Sequence, residues 1–114
     1  PPPPPPSLSS EDVRAAIQED VKTHPVLLYM KGSAAMPGCG FSAAVADILR
    51  QLDVPFETRD VLLDQGLRDE IKEFSDWPTL PQLYVGGEFV GGCDIVTELY
   101  ESGDLKKTLT APSS

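Results

Sequence analysis

The sequence has few of the residues that build metal sites and disulfide frameworks. Its 114 residues include two cysteines, Cys39 and Cys93, and one histidine, His24. Two cysteines are too few for a disulfide scaffold, and they do not form a C-x-x-C pair. His24 lies between Thr23 and Pro25 at the predicted end of a helix, where we expect a solvent-exposed side chain. The Cys and His side chains of one chain therefore cannot form a zinc site, and a Cys–His dyad would require His24 to reach Cys39.

Clustered basic charge and long apolar runs are also missing. Nine Lys and Arg residues stand against 18 Asp and Glu residues, for a formal net charge of −9, and no basic cluster stands out. Nucleic acids and anionic lipid surfaces bind basic patches, so we expect neither a nucleic acid nor a membrane as partner. No apolar run approaches the roughly 18 residues that a membrane-spanning helix needs.

Proline is concentrated at the N-terminus. Residues 1–6 are all proline, and we predict a disordered Pro-rich tail over residues 1–8. The tail has no Arg and no apolar stretch, so it does not look like an import signal. A sequence that begins with Pro1 instead of Met suggests a mature or trimmed form, which is compatible with the loss of a transit peptide. We predict one domain over residues 9–110 and a flexible C-terminus over 111–114.

Cys39 is predicted to lie where a strand ends and a helix begins. Residues 26–30 are continuously apolar, which is typical of a strand buried on both faces. Apolar residues recur at helical spacing over 43–52, and the proline and glycines before them prevent an earlier helix start. A cysteine at a helix N-terminus meets unpaired N–H groups and the positive end of the helix dipole, which favour the thiolate. Lys31 adds positive charge if the loop folds back, and an inert buried cysteine is the alternative.

The remaining periodicity predicts alternating helices and strands. The predicted elements are a helix from Ser9 with Val13, Ala16, Ile17 and Val21 on its apolar face, a strand over 26–30, a helix after Cys39, a strand over 56–61, a helix capped by Asp64 that ends before Trp77, a hairpin over 83–90, and helices over 95–100 and 104–109. Strand, helix and strand with short links imply a right-handed βαβ unit with parallel strands. Joined to a ββα half, this unit predicts an α/β, thioredoxin-like fold with a four-stranded mixed sheet flanked by helices.

Three separated motifs resemble one protein family. They are Cys39-Gly40-Phe41-Ser42, which Lys31 precedes with seven residues between them, Trp77-Pro78-Thr79-Leu80-Pro81-Gln82, and Gly91-Gly92-Cys93-Asp94. In this order and spacing, over about residues 9–109, the chain resembles the CGFS-type monothiol glutaredoxins of the single-domain, mitochondrial type. It departs from the family pattern at 33–36, where polar residues and a proline are common, and at Gly38, where Gln is frequent.

The resemblance implies a carrier of iron–sulfur clusters. Ser42 stands where dithiol glutaredoxins have a resolving cysteine, so we expect at most weak glutathione-dependent oxidoreductase activity. By similarity, a homodimer holds one [2Fe-2S] cluster, and each chain gives Cys39 as metal ligand and one non-covalently bound glutathione. The apo chain is then a monomer. Because such a cluster usually takes four thiolates, an external thiol must supply two of them. The implied partners are iron–sulfur acceptor and assembly proteins.

The resemblance also assigns residues to the glycine and cysteinyl parts of glutathione. Lys31 and Lys72 are placed to meet the glycine carboxylate. Thr79 and Leu80 would offer backbone groups to the cysteinyl part, beside Pro81, whose peptide bond is expected to be cis. On its own, Lys72 reads equally as a solvated lysine on a helix face.

The γ-glutamyl end is assigned to Cys93 and Asp94. Backbone N–H groups would bind its carboxylate and the Asp94 carboxylate its ammonium group, although Asp94 is on spacing alone an equally good helix N-cap. Cys93 is otherwise a small buried residue, or the partner of Cys39 in a slow disulfide.

Phe41 and Trp77 are interpreted as hydrophobic cover. Phe41 is also a candidate to shield the cluster or the contact between the two chains of the dimer.

Two further functions remain open from the sequence. The first is a monomeric glutathione-dependent thiol–disulfide oxidoreductase that acts on glutathionylated proteins, with Cys39 as its catalytic nucleophile. The second is a redox-inert adaptor, which would require Cys39 to be dispensable. By resemblance, we expect the mitochondrial matrix as the compartment, with the plastid and the bacterial cytoplasm as alternatives.

Overall fold

The computed structural model describes residues 9–110, which form one sheet with helices on both of its faces. The elements in chain order are α1 (Ser10–Thr23), β1 (Val26–Met30), α2 (Gly40–Gln51), β2 (Glu57–Asp60), α3 (Gln65–Ser75), β3 (Gln82–Val85), β4 (Glu88–Gly91), α4 (Cys93–Ser102) and α5 (Asp104–Thr110). The predicted tail over 1–8 and the predicted flexible end over 111–114 lie outside the described residues. Between residues 9 and 110, no helix combines the length and apolarity that a membrane crossing needs.

The sheet has the strand order β2-β1-β3-β4. Strand β1 pairs in parallel with β2 and antiparallel with β3, and β3 and β4 form an antiparallel hairpin. The predicted thioredoxin-like fold with a mixed four-stranded sheet is therefore confirmed. The second strand is shorter than predicted, because Phe56 and Val61 flank β2 instead of belonging to it.

The apolar run of β1 is buried on both faces, as its composition predicts. Its side chains alternate between two hydrophobic clusters, because successive residues of a strand point to opposite faces. One cluster contains Leu27 and Tyr29 with residues of α1 and α3, and the other contains Val26, Leu28 and Met30 with residues of α2, α4 and α5. Ala16, predicted on the apolar face of α1, is exposed.

Several helix ends are capped by the residues that the sequence predicts. Ser9 Oγ accepts from the Asp12 amide at 3.2 Å, and Asp64 Oδ1 accepts from the Leu67 amide at 3.1 Å. The prediction of Asp94 as an N-cap is wrong, because α4 begins at Cys93, two residues earlier than this cap implies, and Gly92 is its N-cap.

The prediction of a solvent-exposed His24 is also wrong. The residue is half-buried, and its Nε2 lies 3.2 Å from Nη2 of Arg59. It precedes β1, whereas Cys39 follows β1, so the two residues flank opposite ends of this strand. The residue order along the strand therefore separates His24 from the Cys39 thiol.

Candidate functional site

The register of the strands brings four loops to one end of the sheet. The paired residues nearest this end are Met30 with Asp60, Tyr29 with Gln82, and Leu83 with Gly91. Strands β1, β2 and β4 therefore end where β3 begins. The segments 31–39, 61–64, 77–81 and 91–93 lie at this end, so the fold places the three motifs of the sequence beside one another.

Cys39 is the N-cap residue of α2, as its position in the sequence predicts. Its backbone is extended, and its Sγ accepts a hydrogen bond from the Ser42 amide at 3.4 Å. This thiol is thus a side-chain cap for the helix, where serine or aspartate oxygens are common. Cys39 is half-buried, so its Sγ is placed at the protein surface and still contacts the first turn of α2.

The Ser42 hydroxyl is the second polar group at the thiol. Ser42 is buried, and its Oγ accepts from the Lys31 amide at 3.1 Å and lies 3.3 Å from Cys39 Sγ. A hydroxyl has one hydrogen and two acceptor lone pairs. With the Lys31 amide on one lone pair, the hydroxyl hydrogen is available for the thiolate form of Cys39.

These contacts lower the pKa of the Cys39 thiol. Partial burial on its own raises this pKa, but hydrogen bonds from the Ser42 hydroxyl and from the Ser42 and Phe41 amides outweigh it. The positive charge of Lys31 lowers the pKa further. The net pKa is below the ordinary value of a cysteine, which favours the thiolate as nucleophile or metal ligand.

The segment before Cys39 forms a small closed loop. The Gly38 amide donates to the Lys31 carbonyl at 2.7 Å, and the Ser33 amide donates to the Met36 carbonyl at 3.1 Å. At Gly32, φ is +85°, and a Cβ would lie 2.4 Å from the Gly38 nitrogen. Only glycine fits this position, because both the backbone angle and the space exclude a side chain.

Asp60 joins the loop before Cys39 to the loop after β2. Its Oδ1 accepts from the Gly32 amide and from the Leu62 amide, each at 2.9 Å. Leu62 also packs close to Gly38, where an added Cβ would lie 2.9 Å from Leu62 Cδ1. One carboxylate at the end of β2 therefore fixes two of the four loops.

The segment over 77–81 contacts the turn that precedes α4. The Leu80–Pro81 peptide bond is cis, as predicted. A Cβ on Gly92 would lie 3.1 Å from Nε1 of Trp77 and 3.3 Å from the Pro81 carbonyl oxygen. The absence of a side chain at Gly92 therefore allows this close contact. The Trp77 amide also donates to the Lys72 carbonyl at 3.1 Å, which places Lys72 beside the same segment.

The residues predicted to bind glutathione differ in exposure. Thr79 and Asp94 are exposed, Leu80 and Pro81 are buried, and Lys31, Lys72 and Cys93 are half-buried. Phe41 next to the thiol is 65% exposed, and Cys93 Sγ lies 4.0 Å from Thr97 Oγ1. The fold brings these residues to one end of the sheet, and their roles toward a ligand stay predictions.

Sequence reasoning missed two residues that shape this site. From the sequence, Ser42 is only the replacement of a resolving cysteine, and Asp60 is only part of the predicted strand over 56–61. Ser42 lies in the first turn of α2 and Asp60 is the last residue of β2. Each side chain accepts a hydrogen bond from an amide of the loop before Cys39. A polar side chain at a buried helical position, as at Ser42, is a signal that could have been used.

We expect Ser42→Ala to raise the pKa of the Cys39 thiol. The change removes the hydroxyl hydrogen bond to the thiolate, and it leaves the Lys31 amide without its acceptor. The rate of alkylation by iodoacetamide against pH measures this pKa, and its midpoint should move to higher pH. Ser33→Ala is the matched control, because Ser33 Oγ accepts only a loop amide, that of Met36, at 3.0 Å. Equal midpoints in the two variants would contradict the assigned role of Ser42.

Comparison with known proteins identifies related sequences. The profile of the family described as Glutaredoxin matches residues 26–90. Monothiol glutaredoxin-S7 of rice (Oryza sativa subsp. japonica), a chloroplastic protein, is 55% identical over 98 residues, which cover 86% of this chain and 58% of that protein. Probable monothiol glutaredoxin 2 of Rickettsia typhi is 56% identical over 93 residues, which cover 82% of this chain and 84% of that protein. Mitochondrial monothiol glutaredoxin-S15 of Arabidopsis thaliana is 42% identical over 101 residues, which cover 89% of this chain and 60% of that protein.

Solved structures share the fold. The solution structure of reduced apo GrxS14 from poplar aligns with a TM-score of 0.76 and 46% identity, over 85% of this chain and 89% of that one. The crystal structure of a buckwheat glutaredoxin–glutathione complex aligns with a TM-score of 0.81 and 23% identity, over 93% of this chain and 94% of that one. At 23% identity the second likeness shows the fold alone.

Proposed function

This chain belongs to the glutaredoxin family, among its monothiol members, and on that premise we propose that it binds glutathione and carries a [2Fe-2S] cluster between two copies of itself. The cluster is cargo, to be delivered to iron–sulfur acceptor and assembly proteins. The proposal rests on one observation. The Cys39 thiol, with a lowered pKa, is half-exposed at the start of α2, and its nearest partner is the Ser42 hydroxyl instead of a second thiol.

The metal-binding side chains of this protein suit a cluster that two chains share better than a cluster that one chain holds alone. Among residues 9–110, no group of three or more His, Cys, Asp or Glu side chains could hold a metal ion. The whole chain has two cysteines, whereas a [2Fe-2S] cluster usually takes four thiolates. Two copies that each offer Cys39, together with two external thiols, complete that number. External thiols exchange readily, which suits transfer of the cluster.

Glutathione is the external thiol that the surroundings of Cys39 favour. Its two carboxylates and its ammonium group need partners of both charges. Lys31 and Lys72 would bind the glycine carboxylate, and Asp94 in the first turn of α4 would bind the ammonium group. The N–H groups at the start of α4, including that of Cys93, would bind the γ-glutamyl carboxylate. Phe41, exposed beside Cys39, would cover the bound cluster or the second chain.

A monomeric oxidoreductase is the second candidate, because a lowered thiol pKa also favours a nucleophile. In that reaction the Cys39 thiolate attacks a protein–glutathione disulfide, releases the protein thiolate and becomes glutathionylated itself. A second glutathione thiolate then attacks this new disulfide, which frees Cys39 and forms glutathione disulfide. Ser42 cannot perform this last step, so the reaction would depend on free glutathione.

For the cellular location of this protein we propose three candidate compartments. The relatives that match include chloroplastic, mitochondrial and bacterial proteins. The mitochondrial matrix, the plastid and the bacterial cytoplasm are therefore the candidate locations.

Anaerobic reconstitution tests the proposed function. The full chain is incubated with ferric iron and sulfide, with glutathione or with tris(2-carboxyethyl)phosphine, a reductant that has no thiol, in its place, and is analysed by visible absorbance and by size. We expect colour and a dimer with glutathione, and a colourless monomer with the phosphine. A colourless monomer in both samples that turns over a glutathionylated substrate would establish the oxidoreductase instead.

A pair of lysine variants makes this test specific for the proposed site. Lys72→Gln and Lys106→Gln each remove one positive charge, but Lys72 lies beside the segment over 77–81 and Lys106 is exposed on α5. We expect the glutathione concentration for half-maximal colour to increase only in Lys72→Gln. Equal behaviour of the two variants would contradict the placement of glutathione at Lys72.

A further inference from the structure

Gln82 is a buried polar side chain to which the proposed function gives no role. It is the first residue of β3 and is 0% exposed. Burial of an amide group is costly unless its donors and acceptor find partners. The other residues of β3 are hydrophobic, so Gln82 is the only amide side chain in this strand, and its polar atoms need partners in the interior.

Those contacts join Gln82 to the segment that precedes it. Its Nε2 donates to the carbonyl oxygens of Trp77 and Thr79, each at 3.2 Å. An amide NH₂ group has two hydrogens, so both are used. The side chain thereby links two backbone carbonyls of the segment in which Thr79 and Leu80 are proposed to meet glutathione.

The oxygen of the Gln82 amide is bound by Tyr84. Its hydroxyl donates to Gln82 Oε1 at 3.1 Å. Burial raises the pKa of Tyr84 to about 12, so the phenol is a protonated donor at neutral pH. The Tyr84 ring packs edge-on against Tyr29, with centroids 5.7 Å apart, and lies 5.4 Å from Phe89. This packing restricts the hydroxyl and hence the orientation of the Gln82 amide.

The direction of one peptide group follows from these bonds. The Thr79 carbonyl and the Leu80 N–H belong to the same planar trans peptide, in which they point in opposite directions. Because Gln82 lies in the interior and binds the Thr79 carbonyl, this carbonyl points inward. The Leu80 N–H therefore points away from Gln82.

We propose that Gln82 is a positioning residue for glutathione, because its bonds to the Trp77 and Thr79 carbonyls present the Leu80 amide to the cysteinyl backbone of the ligand. The inference rests on the proposed function, since it assumes that glutathione binds along the segment over 77–81. Gln82 itself does not touch the ligand. It acts through the backbone that it holds.

Titration of the full chain with reduced glutathione, followed by NMR of its backbone amides, tests the proposal. Gln82→Met keeps the length of the side chain and removes both donors. We expect about tenfold weaker binding, which corresponds to about 1.4 kcal/mol, and a shifted Leu80 amide signal before ligand is added. Gln51→Met is the matched control, because Gln51 ends α2 and its Oε1 accepts only from the Tyr100 hydroxyl, at 2.7 Å. Its affinity should equal that of the unaltered chain.

A second variant keeps the test decisive if Gln82→Met does not fold. Tyr84→Phe removes only the hydroxyl bond to Gln82 Oε1, and we expect about threefold weaker binding with the fold retained. Folded Gln82→Met with unaltered affinity would overturn the proposal, as would unaltered affinity in Tyr84→Phe if Gln82→Met is unfolded.

The ligand-free spectrum separates this inference from the proposed function. If the unaltered chain fails to bind glutathione, the proposed function is wrong. In that case the Leu80 amide signal of the variants still reports whether Gln82 orients the peptide group. If the unaltered chain binds and the variants bind equally well, the role of Gln82 alone is wrong.

Discussion

We expect Cys39→Ser to abolish cluster binding and to leave the fold intact. The change replaces one sulfur with oxygen at a half-exposed position, so the core is not altered. A serine hydroxyl can still accept the Ser42 amide as an N-cap, and serine is a favoured N-cap residue. It is not ionised at neutral pH, however, and it cannot replace a thiolate as a ligand for iron. Reconstituted Cys39→Ser with glutathione should therefore be colourless, monomeric and as stable to heat as the unaltered chain.

The parallel variant Cys93→Ser reports on the other thiol. Equal loss of colour in the two variants would contradict the assignment of Cys39 as the ligand from each chain. Retained visible absorbance in Cys39→Ser would exclude Cys39 as ligand altogether. The adaptor alternative makes its own prediction, because it requires Cys39→Ser to bind acceptor proteins and to function normally.

The fold was predictable because its signals are local and consistent with one another. The apolar run over 26–30 identified the central strand, and Ser9 and Asp64 identified two helix starts. The boundaries were less predictable where the pairing of strands decides them. Phe56 and Val61 are apolar residues typical of a strand, but they flank β2, because its pairing with β1 covers only Glu57 to Asp60.

The candidate site was predictable as a set of motifs but not as a set of contacts. The position of Cys39 at the start of α2 followed from the loop residues before it. The hydrogen bonds of Asp60 to two loops, and of Gln82 to two carbonyls, join residues that are separate in sequence or lie in irregular backbone. Residue spacing does not determine such contacts, because they depend on how the four loops meet at the end of the sheet.

The largest loss of stability is expected from Gly32→Ala. The left-handed backbone angle costs a side chain about 1–2 kcal/mol, and φ at this position is +85°. The new Cβ would also lie 2.4 Å from the Gly38 nitrogen and 2.5 Å from the Met36 carbonyl oxygen. Both contacts are to backbone atoms, so the loop itself must move, at a further cost of about 1–3 kcal/mol, as for overpacked cores.

Gly103→Ala separates the two contributions, because Gly103 has the same φ of +85° but no atom within 4 Å of its Cβ position. We expect the free energy of unfolding of Gly103→Ala to decrease only by the cost of the left-handed backbone angle. The free energy of unfolding of Gly32→Ala should decrease by that cost and, in addition, by the cost of displacing the loop. Gly38 precedes Cys39, so this displacement should also raise the pKa of the thiol and weaken glutathione-dependent colour in Gly32→Ala alone. Denaturant unfolding and reconstitution of both variants measure these effects. Equal unfolding free energies with full colour in both would show that the loop over 31–38 does not depend on the close approach at Gly32.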